Sequence, residues 1–161
     1  MPKLQLHIEL LQQRLLCIEA GQITNSYPVS TAVNGAGEQG NSGCTPRGKH
    51  RIRLKIGEGC AENTVFVSRR PTGERYSKQL NEREPNRDWI LTRILWLSGL
   101  EQGKNRGGRV DTLRRFIYIH GTPDEELIGV AASHGCIRMR NRDLLELFEQ
   151  VENGTLVEIV D

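Results

Sequence analysis

His120 and the run Ser133-His134-Gly135-Cys136 hold the residue types of a cysteine nucleophile site. A thiol attacks well only as thiolate, and a neighbouring imidazole can lower its pKa from about 8.5. Gly135 makes room for a substrate at the sulfur and lets backbone N–H groups point at a developing oxyanion. The chemistry this set suits is acyl transfer, with Cys136 as nucleophile and His120 as base. Arg138, two residues beyond the thiol, adds a planar fork that pairs with carboxylates. Each residue has an ordinary alternative: a small buried hydrophobe for the cysteine, hydrogen-bonded scaffold for a histidine, and a salt bridge to Asp143 or Glu146 for Arg138.

Position-keeping falls to strands. Phe116-Ile117-Tyr118-Ile119 reads as a strand that delivers His120, with Gly121 next. Leu4, Leu6, Ile8 and Leu10 alternate with polar neighbours, the period of a half-buried strand. Residues 15–19 and 23–30 flank Ala20-Gly21 as a hairpin. Residues 51–56, where Ile52, Leu54 and Ile56 alternate with basic residues, and residues 64–68 continue the β pattern. Residues 33–44 and 100–109 are glycine-rich loops, and residues 69–87 a polar excursion. Asn141 is expected to cap a helix running to about Glu152, with Leu144, Leu145, Phe148 and Val151 on one face. Gly154 should terminate it and residues 155–160 close as a strand.

Length and composition bound the rest. The 161 residues suit one domain, 1–161, with a genuine core. Twenty-two basic residues against twenty acidic ones leave a net charge of +2, and the arginine-rich stretches carry no aromatic stacking platform. Nucleic-acid binding is therefore disfavoured, and most of those arginines read as solvated strand faces and loops. Cys17, Cys44, Cys60 and Cys136 show no C-x-x-C spacing, and Cys17 sits in an apolar strand as a core residue. His120, His134 and Cys136 suit zinc in type but lack a fourth ligand, so no metal is expected. No basic start followed by an apolar run and no stretch of about 20 apolar residues occurs, so the expectation is no membrane and a cytoplasmic location.

His120-Gly121-Thr122, then Ser133-His134-Gly135-Cys136-Ile137-Arg138-Met139, resembles the signature of the YkuD-type L,D-transpeptidase family. Gln13 to Gly21 resembles the family's opening hairpin. Thr45-Pro46-Arg47-Gly48-Lys49-His50-Arg51-Ile52 is similar to its Thr-Pro-x-Gly element, with His50 at an aromatic position. The resemblance covers the chain from about residue 4 onward. It implies a mainly β fold, a β-sandwich with one C-terminal helix behind the cysteine turn, and makes residues 89–97 a strand although their period also fits a helix.

The resemblance also implies a mechanism without cofactor. Cys136 attacks the carbonyl at the L-centre of a diamino acid, and His120 carries the proton to the leaving D-amino acid. The Gly121 carbonyl orients His120. Backbone N–H groups of His134, Gly135 and Cys136 face the oxyanion, Ser133 holds the turn, His134 shapes the turn or touches substrate, and Arg138 binds a substrate carboxylate. Water as acceptor makes an L,D-carboxypeptidase; an amine makes an L,D-transpeptidase. With a cytoplasmic location, the expected reaction removes terminal D-Ala from tetrapeptide muropeptides in murein recycling, and peptidoglycan cross-linking is the alternative. Carbapenems are expected to acylate Cys136. A metal-binding module and a wall-peptide-binding protein without catalysis are the non-hydrolytic alternatives.

Overall fold

In the computed structural model, which describes residues 3–161, ten strands form one sheet and two α-helices accompany it. The strands are β1 (Gln5–Glu9), β2 (Arg14–Glu19), β3 (Gln22–Ser30), β4 (Gly48–Ile56), β5 (Thr64–Val67), β6 (Arg70–Arg75), β7 (Ile90–Gly99), β8 (Tyr118–Gly121), β9 (Ile137–Met139) and β10 (Leu156–Val160). The helices are α1 (Lys78–Arg83) and α2 (Asn141–Gln150).

The sheet runs β4-β10-β1-β2-β3-β9-β8-β7-β5-β6, and β4 also pairs with β7. That extra pairing joins the two sides of the expected sandwich, so eight strands close into a ring and only β5 and β6 branch from it. β7 is the junction. Its start pairs with β5 through Leu91 and Ile90, and its remainder pairs with β4 from Ile94 onward. The switch coincides with a register shift against β8 and with Thr92 at φ +78°, a bulge that bends the strand.

Period-two alternation sorts the side chains. Leu6, Ile8, Leu15, Cys17, Ile52, Leu97, Ile119, Ile137, Met139 and Ile159 point inward and form one buried core. α2 adds Leu144, Leu147 and Phe148 to it, followed by Val151. Each such side chain contributes roughly 1.5–3 kcal/mol when fully buried, so the helix is held by packing. A second cluster of Phe66, Ile94 and Tyr118 lies on the other face of β7 and β8, with Cys60 and Cys136 against it. All four cysteines are free thiols, and Cys17 is in the core as its strand predicted.

Several local expectations need correction. Residues 69–87, an excursion expected either to cover a site or merely to connect strands, do more than connect: they build β6 and α1, whose cap is Ser77, its Oγ accepting from Leu80 N–H at 3.0 Å. α2 ends at Gln150, two residues early, and Gly154 (φ +96°) instead shapes the turn into β10. Its inward face uses Leu147, while Leu145 is only partly buried. Asn141 is the first helical residue and makes no cap bond; Arg140 precedes it with none either. Arg115 is no solvated arginine, for its guanidinium donates to the carbonyls of Gly37, Glu38 and Cys44. No described helix is long and apolar enough to cross a membrane.

Candidate active site

β8 and β9 run parallel, with His120 opposite Arg138 and Ile119 opposite Ile137. Because alternate residues face opposite ways, Ile119 and Ile137 enter the core while Tyr118, His120 and Arg138 share the other face. Cys136, one step before β9 and in phase with Arg138, joins them. These four side chains line one cleft of about 370 Å³, together with Arg69 and Asp88. The strand pairing thus brings Cys136, His120 and Arg138 together as the motif requires. Ser133 and His134 line the same cleft, His134 on the exposed rim.

The sulfur accepts from the Tyr118 backbone N–H at 3.3 Å and donates to the Phe116 carbonyl at 3.4 Å. Phe116 has φ +56°, an outlier for a bulky residue, at the point where its carbonyl meets the thiol. No hydrogen bond joins the thiol to the His120 ring. The expected direct proton-sharing contact is therefore replaced by a thiol parked on a backbone carbonyl.

His120 is buried, and its Nδ1 lies 2.6 Å from the Gly121 carbonyl. A carbonyl only accepts, so Nδ1 carries the proton and Nε2 is left as the base. Burial holds the imidazole pKa well below its ordinary value, opposed by the Gly121 bond. Burial likewise raises the Cys136 thiol, although the residue as a whole is half-buried; the Tyr118 N–H pulls it back, as do Arg138 and Arg115. Asp88 shifts both groups upward. Both shifts favour the uncharged forms, a neutral thiol and a neutral imidazole.

The turn is built to hold the sulfur still. Ser133 Oγ donates to the Cys136 carbonyl at 2.6 Å and accepts from Gly135 N–H at 3.2 Å. Thr45 Oγ1 donates to the Gly135 carbonyl at 2.9 Å. Gly135 has φ +135°, and a Cβ there would meet the Cys44 carbonyl at 3.2 Å and Ile117 at 3.3 Å. Ser133 Oγ thus occupies the Gly135 N–H, one of the three amides expected to face an oxyanion.

Arg138 lies 3.6 Å from Asp88, not from Asp143 or Glu146, and donates weakly to the Ala132 carbonyl at 3.5 Å. Its Nε is buried without a partner. Arg69, at the tip of the β5–β6 hairpin, donates to Tyr118 Oη at 3.0 Å and lies over the rings of Trp96 and Phe116. Sequence reasoning missed Tyr118, Arg69 and Asp88 as site residues, because no local pattern distinguishes them; long-range pairing delivers them. Among the described residues no three His, Cys, Asp or Glu side chains are grouped to hold a metal.

A second cleft of about 570 Å³ shares Arg115, Phe116, Ile117 and His134 with the first as a common wall. It adds Arg109, Arg114 and Asp111 around the glycines of residues 40–43.

Residues 4–159 match the family model described as YkuD, L,D-transpeptidase catalytic domain. A protein of Bacillus licheniformis named putative L,D-transpeptidase YkuD is 61% identical over 41 residues, 26% of this chain and 25% of that protein. The probable L,D-transpeptidase YbiS of Escherichia coli is 49% identical over 47 residues, 29% of this chain and 15% of its own length. The matched segments thus span a quarter or less of these relatives. L,D-transpeptidase 3 of Mycobacterium tuberculosis, solved with a faropenem-derived adduct, has the same fold, with a TM-score of 0.60 at 16% identity over 99% of this chain and 61% of that one. LdtMt1 solved with imipenem gives a TM-score of 0.56 at 16% identity, over 99% and 59% of the two chains.

Proposed function

This chain belongs to the YkuD family of L,D-transpeptidase catalytic domains, cysteine-dependent acyl-transfer enzymes, and on that premise we propose that it transfers peptidoglycan stem-peptide acyl groups through a Cys136 thioester. The observation that carries this reading is the single cleft holding Cys136, His120 and Arg138 on one face of β8 and β9.

As the substrate carbonyl arrives, the thiol turns from the Phe116 carbonyl, and its proton passes to His120 Nε2. The new S–C bond makes a tetrahedral oxyanion, which the His134 and Cys136 amides receive; one such donor is typically worth about 2.7–4 kcal/mol. His120 then returns the proton to the leaving amine of a D-amino acid as the C–N bond breaks. The imidazolium formed in between is held by the Gly121 carbonyl and favoured by Asp88. Arg138, with its orphan Nε and a long contact to Asp88, takes a substrate carboxylate.

Thioester breakdown needs an acceptor. The second cleft across the His134–Phe116 wall gives an amine-bearing peptide a place beside the thioester, which favours transpeptidation. The cleft over the half-buried Cys136 also admits water, and hydrolysis of soluble tetrapeptides in the cytoplasm is the second reading. The relatives' names favour the first. Purified protein with a disaccharide-tetrapeptide, with and without an added acceptor amine, separates the two by mass. Cross-linked dimers or amine adducts support transpeptidation; only tripeptide and free D-Ala support hydrolysis. No product in either arm defeats the proposal.

A further inference from the structure

Asn141 is 4% exposed, at the first position of α2, yet its side chain serves no helix end. Its amide is instead spent across the fold. Oδ1 accepts from Thr92 Oγ1 at 2.5 Å, and Nδ2 donates to the Thr122 carbonyl at 2.8 Å and to Glu125 Oε2 at 3.1 Å. Glu125 Oε2 also accepts the Asn141 backbone N–H at 2.7 Å. Both N–H donors and one lone pair of the amide oxygen are thereby used.

Where those bonds converge is informative. Gly121 supplies the carbonyl that orients His120, and Thr122 supplies the next one along the chain. A Cβ on Gly121 would lie 2.1 Å from Asn141 Oδ1 and 2.7 Å from the Leu91 carbonyl. Gly121 has no left-handed φ to explain it, so the glycine is present for space. Its backbone is wedged between the β7 backbone and the Asn141 amide. On the far side, Thr92 sits at the β7 bulge with φ +78°, and its Oγ1 also accepts from Asn63 N–H at 3.0 Å. Asn141 thus holds the Thr122–Pro123 peptide by its carbonyl and closes the space beside Gly121, so a shift of this segment would break the Thr122 bond or strike Asn141.

We propose that Asn141, braced by Thr92 and Glu125, is a positioning residue that fixes the Gly121–Thr122 backbone and thereby holds His120 in its Nδ1–H form with Nε2 facing the cleft. It touches neither substrate nor the reacting sulfur. The helix start, the β7 bulge and the segment after His120 are thus tied into one brace. This rests on the catalytic reading of His120 given above, but its direct observable does not.

The test pairs two measurements on full-length protein. Nitrogen-15 NMR of the imidazoles reports the His120 tautomer whether or not the protein is active. Wild type should show Nδ1–H alone, and Asn141→Ala and Thr92→Val should show mixed tautomers. Thr92→Ser, which keeps the hydroxyl, should restore the wild-type pattern. In parallel, the rate of Cys136 acylation by a carbapenem should fall about 10- to 100-fold in Asn141→Ala and Thr92→Val, the scale for a misplaced reacting group, and recover in Thr92→Ser. The pH midpoint of that rate should shift with the tautomer mixture, which simple loss of stability would not do. If Asn141→Ala does not fold, Thr92→Val carries the comparison. An unchanged tautomer in a folded variant overturns the brace. A wild type that shows Nδ1–H but no acylation overturns the catalytic reading alone.

Discussion

The Tyr118 backbone N–H donates to the Cys136 sulfur while the Phe116 carbonyl, two residues back, accepts from it. One short stretch of chain thus presents a donor and an acceptor to the same atom. The donor suits the thiolate and the acceptor suits the thiol, so the site supports both states that the nucleophile visits. The acceptor must be released for reaction.

Replacing Cys136 with Ser or Ala should abolish both the carbapenem adduct and turnover, by about 10³-fold or more, the scale for a nucleophile knockout. Intact-protein mass spectrometry reads the adduct. An adduct that persists in Cys136→Ala would move the reactive group elsewhere.

The acylation rate should hold steady from neutral pH down through 6.5 and fall only below it. His120 must be neutral to accept the thiol proton, and its burial places that requirement at lower pH than for a free imidazole. The raised thiol should give no thiolate rise near pH 8.5. Stopped-flow acylation across pH 4–10 checks both limbs; a half-maximum at or above 6.5 contradicts the buried-base account.

Stability should decline on acidification through His50. This residue is fully buried, with Nδ1 on the Gly48 carbonyl at 3.0 Å and Nε2 on Thr112 Oγ1 at 2.9 Å, and burial lowers its pKa from 6.5 to about 4. Above 6.5 neither folded nor unfolded chain holds the extra proton. Between 6.5 and 4 only the unfolded chain takes it, so folding weakens as pH falls, by at most about 3 kcal/mol. His50→Gln should flatten the slope of melting temperature against pH in that window. His120, shifted the same way, should account for part of what remains.

Gly135→Ala should damage the nucleophile turn. At φ +135° an L side chain is strained, a cost of about 1–3 kcal/mol, and the Cys44 carbonyl and Ile117 crowd the new methyl. Thermal unfolding and carbapenem labelling should both weaken; unchanged labelling would mean that the turn's backbone geometry is not used.

Arg138→Lys should raise KM for a tetrapeptide about tenfold and leave kcat nearly unchanged, because an ammonium cannot reproduce the planar fork. Steady-state kinetics with matched carboxylate and carboxamide peptides decide it. Equal loss on both would assign Arg138 to structure through Asp88.

Much of this was readable from the chain because period and motif are local. Leu6 and Ile8 against Gln5 and His7, or Ile52 between Arg51 and Arg53, announce their strands, and the residues from Ser133 to Cys136 announce a nucleophile. The Ala20-Gly21 hairpin is equally plain. What escaped depends on distant pairing. Asn141 before an apolar stripe looks like a cap, but Thr92 and Thr122 claim its amide from other elements. α1 buries only Leu80 and so has no periodic signature. The closing contact of β4 with β7 and the arrival of Arg69 over Tyr118 are visible only in three dimensions.

The eight-strand ring closes without β5 and β6, and that separates two tasks. The hairpin bearing Arg69 can lengthen, shorten or change composition while every ladder of the ring remains paired. Changes there alter what lies over Tyr118 and leave the platform beneath the sulfur as it is.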